Sequence, residues 1–165
     1  MNSALEEKYL KNQEKDGMLG GGNEKNESYE RYSHTKLANS VFTQSLHDRL
    51  AASQNKDCHN VLSLCGHPGL SSTSIASKIE VDFFGKLKIL LFLYFYSQSA
   101  EDDAMGLLKG MMDIRDKVES GTLYGPTGFK GDAIALPSSP HETNPKSKDM
   151  LWKKSEGAIG SSFAV

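Results

Sequence analysis

Val61-Leu62-Ser63-Leu64-Cys65-Gly66-His67-Pro68-Gly69 is the stretch on which the fold is read. Val61 to Cys65 is a short apolar run, ended by Gly66 and followed at once by Pro68-Gly69. It predicts a buried strand that runs into a loop. The run is apolar at positions destined for both faces, and a strand buried on both faces belongs in a parallel sheet covered by helices. Gly121-Thr122-Leu123-Tyr124-Gly125 predicts a second brief strand between glycines. Two short strands do not make such a sheet. The chain therefore reads as part of an α/β domain, with no internal repeat.

Upstream, residues 29–52 predict a helix. Leu37, Ala38, Val41, Phe42, Leu46 and Leu50 recur at three- and four-residue steps as one apolar stripe, with His34 and His47 expected in solvent. Before it, residues 1–28 are rich in Glu, Lys, Asn and Gly and hold the run Gly20-Gly21-Gly22. They are expected to be a flexible segment, with a short charged helix at most over Ala4 to Asn12. Downstream, residues 80–96 are apolar and aromatic, interrupted by Lys86 and Lys88. Ser99 with Asp102 spells a capping box that opens a helix through Ile114, with Ala104, Leu107, Leu108, Met111 and Met112 expected inward. Residues 128–145 read as a Pro/Gly/Ser-rich loop, Ser147 as the cap of a last short helix, and residues 161–165 as a tail.

Composition narrows the function. The 19 basic and 21 acidic residues among 165 leave a net charge of −2 and no electrostatic footprint for nucleic acid. Two cysteines do not make a disulfide framework, which favours an intracellular setting. The first residues carry no apolar core flanked by basic residues, so no secretory signal is visible. The longest uninterrupted apolar run, residues 89–96, falls far short of a membrane span. Cys58, His59, Cys65 and His67 cluster but match no zinc spacing, and no metal is expected.

Tyr32 and Lys36 stand four apart at the start of the predicted helix, which puts them on one face. A free phenol titrates near 10, too high for ready proton exchange at neutrality, and a fixed ammonium beside it favours the phenolate. A tyrosine so placed is able to protonate a carbonyl oxygen or deprotonate an alcohol. The spacing alone is weak evidence: with 6 Tyr in 165 residues, about 0.6 such matches arise by chance.

The order of motifs is more specific. Tyr32-Ser33-His34-Thr35-Lys36 is followed by Leu37-Ala38-Asn39, the strand-like VLSLC, and then His67-Pro68-Gly69 with Thr73. In this the chain resembles the short-chain dehydrogenase/reductase family, and with HPG in place of a bare PG it looks like the branch of retinol dehydrogenases and protochlorophyllide oxidoreductases. Gly121 to Tyr124, and Leu151-Trp152 with Ser155-Glu156, resemble that branch's C-terminal end. The similarity spans residues 29–160. It implies the C-terminal half of a Rossmann-like, doubly wound parallel sheet, and an oxidoreductase moving hydride between NADP(H), or NAD(H), and a carbonyl or alcohol on a small apolar substrate. On this resemblance Tyr32 is the general acid/base. Lys36 lowers its pKa and bonds the nicotinamide ribose. Pro68, Gly69 and Thr73 line the nicotinamide end of the cofactor, and residues 80–96 form the substrate-side lid.

Two features depart from the family. Its glycine-rich turn between first strand and first helix is missing, because Gly20 to Gly22 has neither an apolar strand before it nor a helix after it. The catalytic serine expected upstream of the tyrosine matches only Ser3, 29 residues before Tyr32, against the plainer reading of an unrelated serine at a terminus. If Ser3 is that residue, Met1 is an internal methionine and the first half of the fold lies outside the chain. A second reading therefore stands beside the first: a non-catalytic remnant or interaction module that binds no cofactor alone. The 83–96 aromatics are taken first as pocket wall or core. Exposed, with Lys86 and Lys88, they would suit peripheral contact with a membrane. Met105, Met111 and Met112 are taken as core filler, and an oligomer is compatible with either reading.

Overall fold

Residues Ser28–Ala52 form a single helix, α1, as the periodicity predicts, and its inward face organises everything packed on it. In the computed structural model the described residues are 4–10, 28–69, 83–96, 99–112 and 117–163. Further elements follow in chain order: β1 (Leu64–Gly66), α2 (Phe83–Tyr96), α3 (Ala100–Met112), β2 (Thr122–Gly125), β3 (Ile134–Leu136) and α4 (Pro145–Ile159). The chain divides into two compact units. One comprises Met1–Ser63, Ser120–Thr122 and Pro137–Val165, the other Leu64–Glu119 and Leu123–Leu136.

In the first unit, α1 buries Leu37, Val41 and Leu50, and Val41 is completely enclosed. Leu37 and Val41 join Leu5, Leu10 and Leu151 in one cluster, with Ala38, Phe42 and Met150 packed against it. The helix α4 supplies Trp152, whose ring stacks on Phe42 at 5.7 Å and carries the Arg49 guanidinium at 4.1 Å. Its Nε1 donates to Glu156 Oε1 (3.1 Å), so the burial leaves no indole donor unmatched. The expected cap of this helix is corrected. Asn144 is the N-cap and accepts from the Ser147 backbone N–H (3.1 Å), while Ser147 itself is buried one turn inside. Pro145 begins the helix, where its missing N–H costs nothing. Gly160, left-handed at φ 74°, ends it.

Residues 4–10 also differ from the flexible segment expected over 1–28. A 3-10 turn, Glu7–Leu10, buries Tyr9 and Leu10, and Leu5 is buried beside them. The Tyr9 ring stacks on His34 at 4.3 Å, and its hydroxyl donates to Glu30 Oε2 (2.7 Å). His34, expected in solvent, is therefore buried, with Nδ1 facing the Glu6 backbone N–H (3.5 Å) and Nε2 3.8 Å from Glu6 Oε1. His47 is half-buried too, its Nδ1 3.0 Å from Ser120 Oγ.

The run Val61–Cys65 is only partly a strand. Val61 is 51% exposed, and pairing starts at Leu64. Its middle residue explains the shift. Ser63 is buried and donates from its hydroxyl to the Thr43 carbonyl (2.9 Å). Its N–H reaches Ser120 Oγ (3.0 Å), and its carbonyl accepts from the Gly121 N–H (2.7 Å). A serine with three bonds holds this segment to α1 and to residues 120–121, so residues 61–63 are an anchor rather than a ladder.

In the second unit the three strands lie in the order β1-β2-β3. β3 falls inside the stretch read as a loop, and it pairs antiparallel with β2: Leu123 opposite Leu136, Tyr124 opposite Ala135, Gly125 opposite Ile134. The architecture is mixed α/β, with four helices and one small sheet among the described residues.

The helix α3 begins as its capping box predicts. Ser99 Oγ accepts from the Asp102 N–H (3.1 Å) and its hydroxyl donates to Asp102 Oδ2 (2.9 Å). Its orientation departs from the expectation in part: Ala104 is half-buried and Leu107 lies against β1, where a Cβ on Gly66 would meet its Cδ2 at 2.6 Å. Met111 is 82% exposed, and Met105, Leu107, Leu108 and Met112 are exposed as well. The face turned to the sheet is the glycine face: a Cβ on Gly106 would lie 2.8 Å from the Tyr124 carbonyl oxygen. Absent side chains let helix and strand backbones approach, and the methionines are left outside. Residues 83–96 behave likewise. They form α2, and Phe84, Leu87, Leu91, Tyr94 and Phe95 are exposed, so these five are not core.

Candidate functional site

The first turns of α1 present a tyrosine and a lysine together. Ser33, His34 and Leu37 are buried, and that burial sets the rotation of the helix. Tyr32, Thr35 and Lys36 consequently face outward, with Tyr32 54% exposed. The Lys36 ammonium lies 5.5 Å from the centroid of the Tyr32 ring, over the face whose quadrupole attracts a cation. Thr35 Oγ1 donates to the Tyr32 carbonyl (2.7 Å) within the same turn. The phenol and the amine are thus held on one face of a rigid helix, accessible to an outside reactant.

The proline–glycine turn belongs to the second unit. The His67 N–H donates to the Tyr124 carbonyl (2.7 Å), which ties the turn to β2. Gly69 is left-handed at φ 77°. A Cβ there would meet the Phe129 carbonyl oxygen at 2.7 Å and Pro126 Cγ at 2.8 Å. The requirement for glycine is thereby met by the chain's own packing. Pro68 is exposed. Ser3 and Thr73, the remaining residues singled out by the sequence, lie outside the described residues.

The residues at hand fit a nicotinamide cofactor in part. Lys36 offers an exposed ammonium with the donors a ribose diol takes, and Tyr32 an exposed phenol. Gly69 offers no open cradle, since its near side is filled by Phe129 and Pro126. The second unit also holds a groove of about 1090 Å³, floored by Met105, Leu108, Met112 and Ile134 and edged by Asp102, Lys109, Lys130 and Asp132. Sequence inspection offers no signal for this groove, because the same methionines read equally well as core. Among the described residues no three His, Cys, Asp or Glu side chains gather as a metal site, and no helix is long and apolar enough to cross a membrane.

No protein-family model matches the chain, and no curated protein does. A solved structure of an uncharacterized protein from Mycobacterium paratuberculosis is similar at 24% identity and a TM-score of 0.49. The match covers 82% of this chain and 40% of that one, so the matched part spans less than half of the solved protein.

Proposed function

We propose that the chain is the proton-handling portion of a short-chain dehydrogenase/reductase-type enzyme. It would act with NADP(H) on a carbonyl or alcohol of a small apolar substrate, within the C-terminal half of a Rossmann-like fold. The observation that carries this reading is the Tyr32–Lys36 pair, outward on one helix face with the ammonium 5.5 Å from the ring centroid. Bound cofactor would supply the hydride. Tyr32 gives a proton to the substrate oxygen during reduction and takes one during oxidation. Lys36 keeps a positive charge beside that phenol and donates to the ribose hydroxyls. Ser3 and Thr73 complete the set that the family resemblance implies.

The test is the Tyr32→Phe substitution in a protein carrying this sequence after a dinucleotide-binding portion. NADPH-dependent turnover of an apolar aldehyde should fall by about 10²- to 10⁴-fold, the usual contribution of a general acid, while NADPH affinity stays unchanged. Near-normal turnover overturns the proposal.

A second reading, an interaction module without catalysis, is favoured by one observation: α3 leaves Met111 and Met112 about four-fifths exposed. NADPH titration into the 165-residue chain separates the two. Saturable binding speaks against the module, and absence of binding favours it.

A further inference from the structure

The helix α3, Ala100–Met112, carries an ordered outer face. At 100° per residue, Glu101, Asp102, Met105, Leu108, Lys109 and Met112 fall within an arc of about 120°. Gly106 and Gly110, where a Cβ would meet Tyr124 and Leu64, fall outside that arc. Met105, Leu108 and Met112 are exposed, Met112 to 78%. Glu101 and Asp102 are exposed as well, and Lys109 is half-buried. The three apolar residues follow one another at steps of three and four, the spacing of a helix–helix seam. Beside them runs the groove of about 1090 Å³ whose other wall is residues 130–134.

We infer that this face pairs with the same face of a second copy, the two α3 helices running antiparallel about a two-fold axis. The order of charges along the helix selects this occupant. The acids stand at its N-terminal end, and Lys109 follows Asp102 two turns later on the same flank. An axis level with the midpoint of Met105 and Leu108 sets Met105 against the partner's Leu108. It also brings Asp102 within about 3 Å, two residues of rise, of the level of the partner's Lys109. Symmetry forms that pair twice. Asp102 already accepts from the Ser99 hydroxyl, and a carboxylate keeps further lone pairs for a cation. A parallel pair would set acid against acid, and an anionic lipid surface would meet Glu101 and Asp102. The groove also has the right size: a 13-residue helix about 20 Å long and 10 Å across, sunk to its axis, fills about 800 Å³. This inference does not depend on the oxidoreductase reading.

The test is sedimentation equilibrium of the 165-residue chain from about 1 to 200 μM, which brackets micromolar dimer constants. A monomer–dimer equilibrium is expected. Lys109→Asp should raise the dissociation constant about tenfold at low salt, because each dimer holds the reversed pair twice. Asp102→Lys should act likewise. The double reversal, Asp102→Lys with Lys109→Asp, should restore the constant to within about threefold of the original, a recovery that damage to the fold does not give. Met105→Glu with Met112→Glu should abolish the dimer and leave the far-UV circular dichroism unchanged, because both sites are exposed. A chain that stays monomeric throughout, a dimer indifferent to these changes, or a double reversal no tighter than the single ones overturns the inference.

Discussion

Gly106→Ala tests how closely α3 approaches the sheet, and therefore why its methionines face outward. In an open helix interior, replacing glycine with alanine stabilises by about 0.8–1.0 kcal/mol, because alanine gives up less backbone freedom on folding. At Gly106 the added methyl would sit 2.8 Å from the Tyr124 carbonyl oxygen and 3.5 Å from the backbone N and O of His67. These are main-chain atoms of a paired segment, and they cannot swing aside as a side chain does. The helix must back away from the strand. Overpacking costs roughly 1–3 kcal/mol, and contact with backbone belongs in the upper part of that range. Set against the propensity gain, the net loss is about 1–2 kcal/mol. With a urea m-value near 2 kcal/mol/M, the midpoint should fall by about 0.5–1 M, read by far-UV circular dichroism. Gly157, inside α4, provides the opposite case, since a Cβ there meets nothing within 4 Å. Gly157→Ala should raise the midpoint by about 0.4–0.5 M, read by fluorescence of the single tryptophan. A rise in the Gly106→Ala midpoint would refute the glycine-mediated contact and the outward methionine face with it.

Other substitutions probe the first unit. Trp152→Ala removes a buried ring that stacks on Phe42 and carries the Arg49 guanidinium, and calorimetry should register a loss of about 3–5 kcal/mol; a loss below 1 kcal/mol contradicts the packing. Asn144→Ala deletes the acceptor for the Ser147 N–H and should cost about 1 kcal/mol, lowering Tm by roughly 2–4 °C. An unchanged Tm would mean that α4 is capped by another group. Ser63→Ala removes the hydroxyl that donates to the Thr43 carbonyl and should cost about 0.5–1.5 kcal/mol in urea unfolding, whereas a neutral result would show that the anchor rests on the backbone groups of Ser63.

The site was legible where its residues are close in sequence. Tyr32 and Lys36 are four apart on a helix, so their adjacency follows from helical geometry once the apolar stripe fixes which face turns inward. The proline–glycine turn was legible as a turn, but its packing was not. The contacts of Gly69 come from Pro126 and Phe129, nearly sixty residues away. The burial of His34 was likewise hidden, because Leu5 and Tyr9 are isolated apolar residues in a polar stretch and carry no periodic signal.

Local order, then, was written in the chain itself: the helix from Ser28 to Ala52, the Ser99–Asp102 cap, and the short strand ahead of Gly125. Each depends on residues within a turn or two of one another. Tertiary structure decided which surfaces are covered. The strand Ile134–Leu136 exists because β2 offers it an edge. The helix α3 shows its methionines because glycine backbone, not apolar area, made the tighter contact. Five large apolar side chains of α2 stay exposed. Periodicity states that a face is apolar, but only the arrangement of the other elements determines whether anything lies against it.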